Sequence, residues 1–496
     1  MAVKVDTQKE IIFGSSNPNI SRVISKKEKD GELRKLAPRI YTTNLIDSPA
    51  NIVRRNLIEI LAYRYPNALI SHRSAKEMRP TSTGDFFLTN STTRRVTDLP
   101  GIILNFVKGP KATAHDIPFM GIHISGEHRY MLENMQLSRK SGDESRVLPI
   151  SVIENKLEQL LLTGGEERLN QYRDELREVA NELGMADEFS KINNIISALL
   201  STHDARVLST DSAKARASGN PFDANRVGLF EILFDTIKDR YFVIRTNRNT
   251  DEDSFRLFSF FESYFSNYIE GTEFDIEEAK EIVDSGIPMP RRDEDSHDIL
   301  GTFKILSNRT EMRRVPTSPE ELFAILSHRH TILLEGRPHM NPGVFKMRNN
   351  RAGQTEFVDY QLVKGTLSQG FKYYSALTDP FARAIFMMFM ISEVHPFNDG
   401  NGRIARVMMN AEFVRADQSI IIVPTVFRED YILALRKLTR HKDPMAYINV
   451  MTKLHQFSDN LYGTDFTELK NYLAACNAYE EPSQAKLQII DRSIRH

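Results

Sequence analysis

The chain has 496 residues, more than one ordinary domain holds, so we expect two to four domains. Its 41% hydrophobic and 26% charged content are typical of a soluble globular protein, and a net charge of −1 argues against a general binder of polyanions. The longest apolar run, "AIFMMFMI", is too short to span a membrane, the N-terminus lacks the pattern of a signal peptide, and the single cysteine, Cys476, excludes an internal disulfide. We therefore expect a cytoplasmic protein without a membrane partner.

The first 111 residues are basic, with 19 Lys and Arg residues against 10 Asp and Glu residues, a local charge of +9. Their pattern predicts a helix capped by Asn19, a turn at Gly31 and a strand pair around Leu33–Tyr41. A helix from about Pro49 follows, and then "ALISHRSA" predicts a short strand that leads into another helix.

The order of helix, basic strand pair, helix and "SHRSA" over residues 18–115 resembles the winged-helix segment of abortive-infection antitoxin-type regulators. The resemblance rests on "GELRKL", "RIY" and "SHRSA". It implies DNA binding or protein docking by a wing that carries Arg34, Lys35 and Arg39. A structural domain with a basic surface is the alternative.

Residues 116–225 carry no chemical motif. A helical hairpin with a break at Gly164–Gly165 is expected first. Residues 209–226 are rich in Ser, Ala, Gly and Asn, which predicts a linker or an exposed loop.

Helix signals dominate the C-terminal half. Ser318, Pro319 and Glu321 form the pattern of a capping box. Asp379 is expected to begin a helix that is apolar on all sides and therefore buried, and "NGRIARVMMN" predicts the helix that follows it.

The stretch "HPFNDGNGRIAR", residues 395–406, joins these two helices and contains residues suited to anion binding and to catalysis. Glycines Gly400 and Gly402 at a helix N-terminus expose backbone N–H groups at the positive end of the helix dipole, which suits phosphate. Arg403 and Arg406 lie three residues apart, so both are expected to lean towards one anion.

Three further residues of this stretch have expected roles. Asp399 suits a magnesium ion that bridges phosphates. His395 is the neutral base beside them, able to take a proton from an attacking hydroxyl. Phe397 is expected to pack inward and hold the loop in place.

The same stretch resembles the Fic family signature, H-P-F-x-[DE]-G-N-G-R-x-x-R, and matches it at every position. The resemblance covers about residues 255–455 and includes "NPGVFKMRNN", which resembles the β-hairpin flap of the family. It implies a protein adenylyltransferase that transfers AMP from ATP to a Ser, Thr or Tyr hydroxyl of a target protein. The sequence "DGNGR" at residues 399–403 disfavours the kinase-like branch of the family.

The resemblance implies a role for each matched residue. His395 would deprotonate the target hydroxyl, and Asp399 would hold Mg²⁺. The backbone from Gly400 to Gly402, with Asn401, would bind the phosphates, and Arg403 and Arg406 would position the β- and γ-phosphates. A flap at about Gly343–Asp359 would bind the target by strand addition. Asn410 is a candidate for the nucleotide-base pocket.

Many Fic proteins carry [ST]-x-x-x-E-[GN], whose glutamate blocks the ATP site, and two stretches match it. "SNYIEG", residues 266–271, ends a Phe-rich helix, so Ser266, Glu270 and Gly271 are the expected inhibitory residues, with Glu270 paired to Arg406. "TILLEG", residues 331–336, is expected to be a coincidence because its apolar residues suit a core. Glu270 could also orient water for removal of AMP, an activity of some family members.

The expected fold is mainly α: an all-helical Fic core with a β-hairpin flap, preceded by a smaller α+β region. The expected segments are a winged-helix-like domain at 1–115, a helical connecting region with a linker at 116–225, an inhibitory helix segment at 226–300, the Fic core at 301–460 and a helical appendage at 461–496.

The leading hypothesis is an autoinhibited adenylyltransferase that modifies a target protein, with itself as one candidate target. The alternatives are a DNA-binding regulator whose Fic half senses nucleotide and whose residues 1–115 contact DNA, a toxin with a tethered antitoxin-like part, and the same fold with another donor such as UTP or CDP-choline. A homodimer is plausible by analogy with relatives.

Overall fold

The structure is a computed structural model that describes residues 9–201, 205–353 and 355–492. Contacts within the chain divide it into two compact units, the first ending at Ser218 and the second beginning at Gly219. This boundary lies inside residues 209–226, where the sequence predicts a linker. The expectation of an exposed loop is wrong for Asp211–Ala217, which form a helix with Ser212 and Ala213 buried against the first unit.

A small antiparallel sheet begins the first unit, and its strands have the order β1-β3-β2. These strands are β1 (Ile11–Phe13), β2 (Arg34–Ala37) and β3 (Ile40–Thr42). The strand pair β2–β3 confirms the prediction from the sequence, and α1 (Pro18–Lys29) connects β1 to it. The cap of α1 is Asn17 and not Asn19, because the Asn17 side chain accepts the Asn19 N–H and Pro18 occupies the first helical position.

A six-stranded mixed sheet forms the centre of the first unit, in the order β6-β7-β5-β4-β9-β8. The strands are β4 (Leu69–Ile70), β5 (Asp85–Asn90), β6 (Arg94–Leu99), β7 (Ile102–Lys108), β8 (Ile117–Phe119) and β9 (Ile122–Ile124). The pairs β5–β7 and β4–β9 are parallel, and the other neighbours are antiparallel. The sequence predicted β4 but none of the other five strands.

Helices pack around this sheet, and their apolar residues share its core. They are α2 (Pro49–Arg55), α3 (Leu57–Arg64), α4 (His72–Glu77), α5 (Glu127–Glu133), α6 (Ile150–Leu183), α7 (Ala186–Leu199) and α8 (Asp211–Ala217). The predicted break at Gly164–Gly165 is confirmed, because Gly165 interrupts α6 with φ 67° and ψ −170°, a conformation that favours glycine.

Two of the three cations expected on the wing are already bonded to the chain. Arg34 donates to the carbonyl oxygens of Asn44 and Asp47, and Arg39 donates to that of Gly14. Lys35 is exposed, so the assignment of residues 18–115 to a winged helix stays a prediction.

Among its described residues, the second unit contains helices, one short hairpin and a single isolated bridge between Thr246 and Gln418, which confirms the expected mainly α class. Its helices are α9 (Ala224–Ile237), α10 (Glu252–Ile269), α11 (Ile276–Ser285), α12 (Asp293–Leu306), α13 (Arg309–Met312), α14 (Pro319–Leu333), α15 (Val363–Ala376), α16 (Pro380–Val394), α17 (Asn401–Arg415), α18 (Arg428–His441), α19 (Pro444–Ser458) and α20 (Phe466–Ala475). The hairpin consists of β10 (Arg351–Ala352) and β11 (Thr355–Glu356), inside the predicted flap.

The pair α16 and α17 forms the centre of this unit. Nearly every side chain of α16 is buried, as its apolar sequence predicts, and Asp379 caps it by accepting the Ala382 N–H at 2.9 Å. Ser318 caps α14 as expected, but the capping box is incomplete, because the Glu321 carboxylate bonds Thr317 instead of the Ser318 N–H. Among the described residues, no helix is both long and apolar enough to cross a membrane.

Candidate active site

His395 occupies the position where α16 ends. Its backbone is left-handed, with φ 52°, and its N–H bonds the Ile391 carbonyl oxygen at 2.9 Å. This conformation is costly for a residue that carries a Cβ atom. It turns the chain sharply off the helix, so the imidazole lies at the edge of a cleft and not on the side of α16.

Burial and one hydrogen bond determine the charge and the tautomer of His395. Burial lowers the pKa of the imidazole from 6.5 to about 4, so the ring is neutral at pH 7. Nδ1 lies 3.1 Å from the Ser392 carbonyl oxygen, which can only accept, so Nδ1 carries the proton. Nε2 therefore has its lone pair free. The Phe357 ring stacks on the imidazole with the centroids 3.5 Å apart.

The loop after His395 is held by its own side chains. The Asn401 amide accepts the Phe397 N–H and donates to the Phe397 carbonyl oxygen, both at 2.9 Å. Phe397 is fully buried, as the sequence predicted. The side chain of Asn401 thus fixes the loop, so the backbone is the part of Asn401 that remains for a ligand.

His330, on α14, supports the same loop and was not predicted. Its ring stacks on Phe397 at 3.7 Å, its Nδ1 accepts the Gly343 N–H at 2.9 Å, and its Nε2 lies 3.0 Å from the Asp399 carbonyl oxygen. These contacts require the neutral Nε2–H tautomer, and burial lowers the pKa of His330 to about 4, which favours it. His330 therefore links the beginning of the flap to the loop.

Two glycines open the N-terminus of α17. Gly400 has φ 70°, a left-handed conformation, and precedes the first helical residue. A Cβ atom at Gly402 would lie 2.1 Å from Glu270 Oε1, so the Glu270 carboxylate lies directly against this helix end. A helix N-terminus attracts anions, and here the carboxylate lies where we expect phosphate.

Arg406 is buried and held by the end of α10. Its Nε donates to Ser266 Oγ at 2.8 Å, and its Nη2 donates to the Ser266 carbonyl oxygen at 2.9 Å and to Glu270 Oε1 at 2.7 Å. Burial alone would lower the pKa of Arg406, but the charge and hydrogen bond of Glu270, together with the charges of Tyr431 and Glu262, outweigh it and the pKa is raised. Gly271, with φ 94°, then turns the chain away. The structure thus brings Ser266 and Glu270 to Arg406, and the Glu270–Arg406 contact is the one expected from the sequence.

Arg403 does not lie where the sequence predicted, at the phosphate site of the cleft. Its Nη1 pairs with the buried carboxylate of Asp298 on α12 at 2.8 Å and donates to Asn267 Oδ1 at 3.3 Å. It does not line the cleft. In this conformation Arg403 ties α17 to α12 and α10, and Asp298 is a second supporting residue that the sequence motif did not reveal.

Asp399 lies in the cleft with 38% of its side chain exposed. The nearest cation is Arg403, whose Nη2 is 3.7 Å from the carboxylate, beyond hydrogen-bond distance. Its oxygens therefore remain available to a cation that enters the cleft.

Asn410 does not reach the cleft. It is fully buried, its Oδ1 accepts the Ile421 N–H at 2.9 Å, and its Nδ2 bonds the Ile421 carbonyl oxygen at 3.0 Å and Glu262 Oε1 at 3.2 Å. These bonds leave no free group for a nucleotide base. The expectation of a base-pocket role for Asn410 is therefore not supported by its position.

The second matching glutamate, Glu335, is at the surface. Its side chain is 65% exposed and pairs with Lys304 at 3.2 Å. Leu333 and Leu334, which precede it, are fully buried, as the sequence predicted.

The cleft has a volume of about 440 Å³ and two walls besides the His395 loop. The flap contributes Asn350, Arg351, Ala352, Thr355 and Phe357. The other wall is one face of α18 and consists of Tyr431, Ile432, Leu435, Arg436, Thr439 and Arg440. The sequence "YILALRKLTR" has an ordinary amphipathic pattern, which gave no signal for this role.

Two arginines attach the flap to the helices. Arg440 donates to Thr355 Oγ1 at 2.9 Å. Arg226 donates to the Glu356 carbonyl oxygen and pairs with the buried Glu393 of α16. The flap is therefore held over the cleft from two sides.

Comparison with known proteins supports the identification of this site. Residues 318–412 match the family model described as Fic/DOC family. The protein adenylyltransferase fic-1 of Caenorhabditis elegans is 30% identical over 115 residues, 23% of this chain and 22% of that protein. The protein adenylyltransferase Fic of Nematostella vectensis is 24% identical over 214 residues, 40% of this chain and 47% of that protein. This chain thus spans less than half of either relative.

A solved structure of C. elegans Fic-1 shares 17% identity with this chain and has a TM-score of 0.35, covering 66% of this chain and 92% of that one. The identification rests instead on residues 318–412 and on the loop inside them, where the complete motif forms a base, an exposed carboxylate and a glycine-rich helix N-terminus around one cleft. Residues 318–412 are therefore similar to the Fic/DOC family, and the His395 loop and its cleft lie within or beside this matched part of the chain.

Proposed function

We propose that the protein is an adenylyltransferase that transfers AMP from ATP to a Ser, Thr or Tyr hydroxyl of a target protein. The observation that carries the proposal is the neutral His395 imidazole, with a free Nε2, in a cleft that contains the N-terminus of α17. The names of the similar curated proteins support AMP as the transferred group.

In the proposed reaction, His395 Nε2 takes the proton of the target hydroxyl. The hydroxyl oxygen forms a bond to the α-phosphorus of ATP, the bond from that phosphorus to the bridging oxygen breaks, and pyrophosphate leaves. The N–H groups at Gly400–Gly402 stabilise the charge on the phosphate oxygens. A base that is neutral before the reaction suits this proton transfer.

Asp399 is suited to hold Mg²⁺ together with the phosphates of ATP. Its carboxylate is exposed in the cleft and has no direct hydrogen-bonding cation. In the part of the chain that the structure describes, no three His, Cys, Asp or Glu side chains form a metal site of their own. One carboxylate plus phosphate oxygens is a common magnesium arrangement. The ion would offset phosphate charge.

We also propose that Glu270 inhibits the resting protein. Its carboxylate lies against Gly402 and bonds Arg406, the two groups that the γ-phosphate of ATP would use. ATP bound beside Glu270 would have its phosphates misaligned, and misalignment costs orders of magnitude in rate. Self-modification and removal of AMP, for which Glu270 would orient water, are further predictions from the family.

The edge of the flap is the proposed site for the target segment. The hairpin β10–β11 is only two residues long on each side, its strands are largely exposed, and it borders His395 through Phe357. An extended target segment paired with this edge would bring its hydroxyl to the base.

The test follows radioactive label from α-labelled ATP on the protein itself, with Mg²⁺ present. Wild type, Glu270→Gly and the double variant Glu270→Gly/His395→Ala are compared. Only Glu270→Gly is expected to become labelled, because it has both an open phosphate site and the base. If no variant is labelled by ATP, UTP or CDP-choline, the transferase proposal is wrong.

DNA binding by residues 1–115 and a homodimer stay predictions. The charge of +9 favours DNA binding, whereas the bonds of Arg34 and Arg39 to main-chain carbonyls disfavour the wing as the contact. A DNA titration of the full chain at several salt concentrations would decide, because phosphate contacts give a steep loss of affinity with salt.

A further inference from the structure

The contact between α10 and α17 extends beyond the inhibitory glutamate. Glu262, Ser266 and Glu270 lie four residues apart on α10 and therefore share one face. Their neighbours on α17 are Asn410, Arg406 and Gly402, again four apart and in reverse order. The two helices thus contact each other through two hydrogen-bonded pairs, Glu262–Asn410 and Ser266–Arg406, and through the Glu270 carboxylate, which lies against Gly402.

Glu262 is poorly bonded for a buried carboxyl group. Its residue is 2% exposed, and only Oε1 has a partner, Asn410 Nδ2 at 3.2 Å. Oε2 is buried without a hydrogen-bond partner among the described residues. An ionised carboxylate with a single hydrogen bond is costly in such surroundings. Burial raises the pKa of Glu262 to about 7, against the opposing effects of Arg406 and Asn410.

We propose that Glu262 is a positioning residue that acts through Arg406: its ionised form offsets the charge of Arg406 from inside the protein and weakens the grip of this arginine on the phosphates of ATP. The inference rests on the proposed nucleotide site. It adds a second carboxylate to the control of that site, one turn of helix beyond Ser266.

The direction of the effect of Glu262 on ATP binding follows from the charges. A bound triphosphate brings more negative charge to Arg406 than the Glu270 carboxylate does, so an ionised Glu262 repels the phosphates more than it repels Glu270. Ionised Glu262 therefore favours the inhibited arrangement, in which Glu270 is bonded to Arg406. Protonated Glu262 leaves Arg406 with its full charge and favours the nucleotide.

Few other charged groups face Glu262. Arg406 comes from α17 and Tyr431 from α18. On the α12 side, the carbonyl oxygens of Ile299 and Leu306 bond serine hydroxyls of α10, and the buried Asp298 carboxylate is paired with Arg403. Glu262 is consequently the group expected to titrate near neutral pH in this contact.

The experiment measures Mg–ATP affinity by calorimetry from pH 6 to pH 8. The parent is the full chain with Glu270→Gly, which removes competition between Glu270 and ATP, and His395→Ala, which removes turnover of ATP. Glu262→Gln is then added to this parent. At pH 8 the Gln variant is expected to bind about three- to tenfold more tightly than the parent, and at pH 6 the two should agree. The parent should lose affinity as the pH rises through about 7, and the variant should not.

A matched control is Glu412→Gln on the same parent. Glu412 is also buried on α17, but it pairs with Arg383 and Tyr374 and not with Arg406. It should lower the melting temperature and leave the pH dependence of binding unchanged. If Glu262→Gln does not fold, Glu262→Asp, which keeps the charge, should retain the pH dependence.

The outcomes are distinguishable. Equal affinities and equal pH profiles for parent and Glu262→Gln would overturn the role of Glu262. Absence of ATP binding by the parent at every pH would instead overturn the proposed function.

Discussion

Two helices of the second unit end in the same six-residue pattern, yet only one delivers its glutamate to the cleft. At the end of α10, Glu270 bonds the buried Arg406 and lies against Gly402. At the end of α14, Glu335 is largely exposed and pairs with Lys304. The pattern therefore describes a helix end that carries a glutamate. What the glutamate does depends on whether that helix end faces the N-terminus of α17.

The first residue of the pattern shows the same difference. Ser266 accepts a hydrogen bond from Arg406 Nε, so its hydroxyl belongs to the site. Thr331 donates to the Ser327 carbonyl oxygen on its own helix, which is a local bond that any surface threonine can make. The comparison can be tested at each matched position.

The largest effect is expected from the two glutamates themselves. Glu270→Gly should raise the labelling rate by about 100-fold or more, because it restores the alignment of the phosphates. The matched variant Glu335→Gly should stay within about twofold of wild type. Labelling time courses with α-labelled ATP measure both. Activation of Glu335→Gly to the same extent would mean that the two ends had been assigned the wrong way round.

The ion pairs beside the two helix ends, Asp298–Arg403 and Lys304–Glu335, should differ strongly in their contribution to stability. Asp298→Ala leaves Arg403 buried without its partner, which should lower the free energy of unfolding by about 3–5 kcal/mol. Lys304→Ala removes the exposed partner of Glu335 and should leave the melting temperature unchanged. Denaturant unfolding of the two variants makes the comparison, and equal losses would contradict it.

The serine and threonine should differ by less. Ser266→Ala leaves the buried Arg406 Nε without an acceptor, a cost of about 1–3 kcal/mol, and should release part of the inhibition. Thr331→Ala removes only a local helix bond and should change neither quantity. Melting temperature and labelling rate are measured on both variants. If the Ser266→Ala protein is as stable as wild type and labels as slowly, the Ser266 hydroxyl contributes neither to stability nor to inhibition.

Much of the site could be predicted from the sequence because its residues are adjacent along the chain. The run from His395 to Arg406 and the pair Glu270–Arg406 were found by motif and helix spacing. His330 and Asp298 could not be found in this way, since each lies far along the chain and acts only through a packed helix. The six-stranded sheet was missed for a related reason: three of its strands have only two or three residues, and several of its pairings are non-local.

The smallest effect is expected from pH and concerns the third helix end, where α16 stops at His395. The pKa of His395 is lowered by burial to about 4, so the neutral base persists at pH 5.5. An unshifted histidine would be about one-tenth neutral there and would label about tenfold more slowly than at pH 8. In Glu270→Gly, which also loses a carboxylate that raises this pKa, labelling should hardly fall between pH 8 and pH 5.5. The folded pKa lies below the free value, so the stability contributed by His395 is fully present above about pH 6.5 and is lost as the pH falls from there to about 4. A labelling rate that halves near pH 6.5 would place the base in water and contradict the buried helix end.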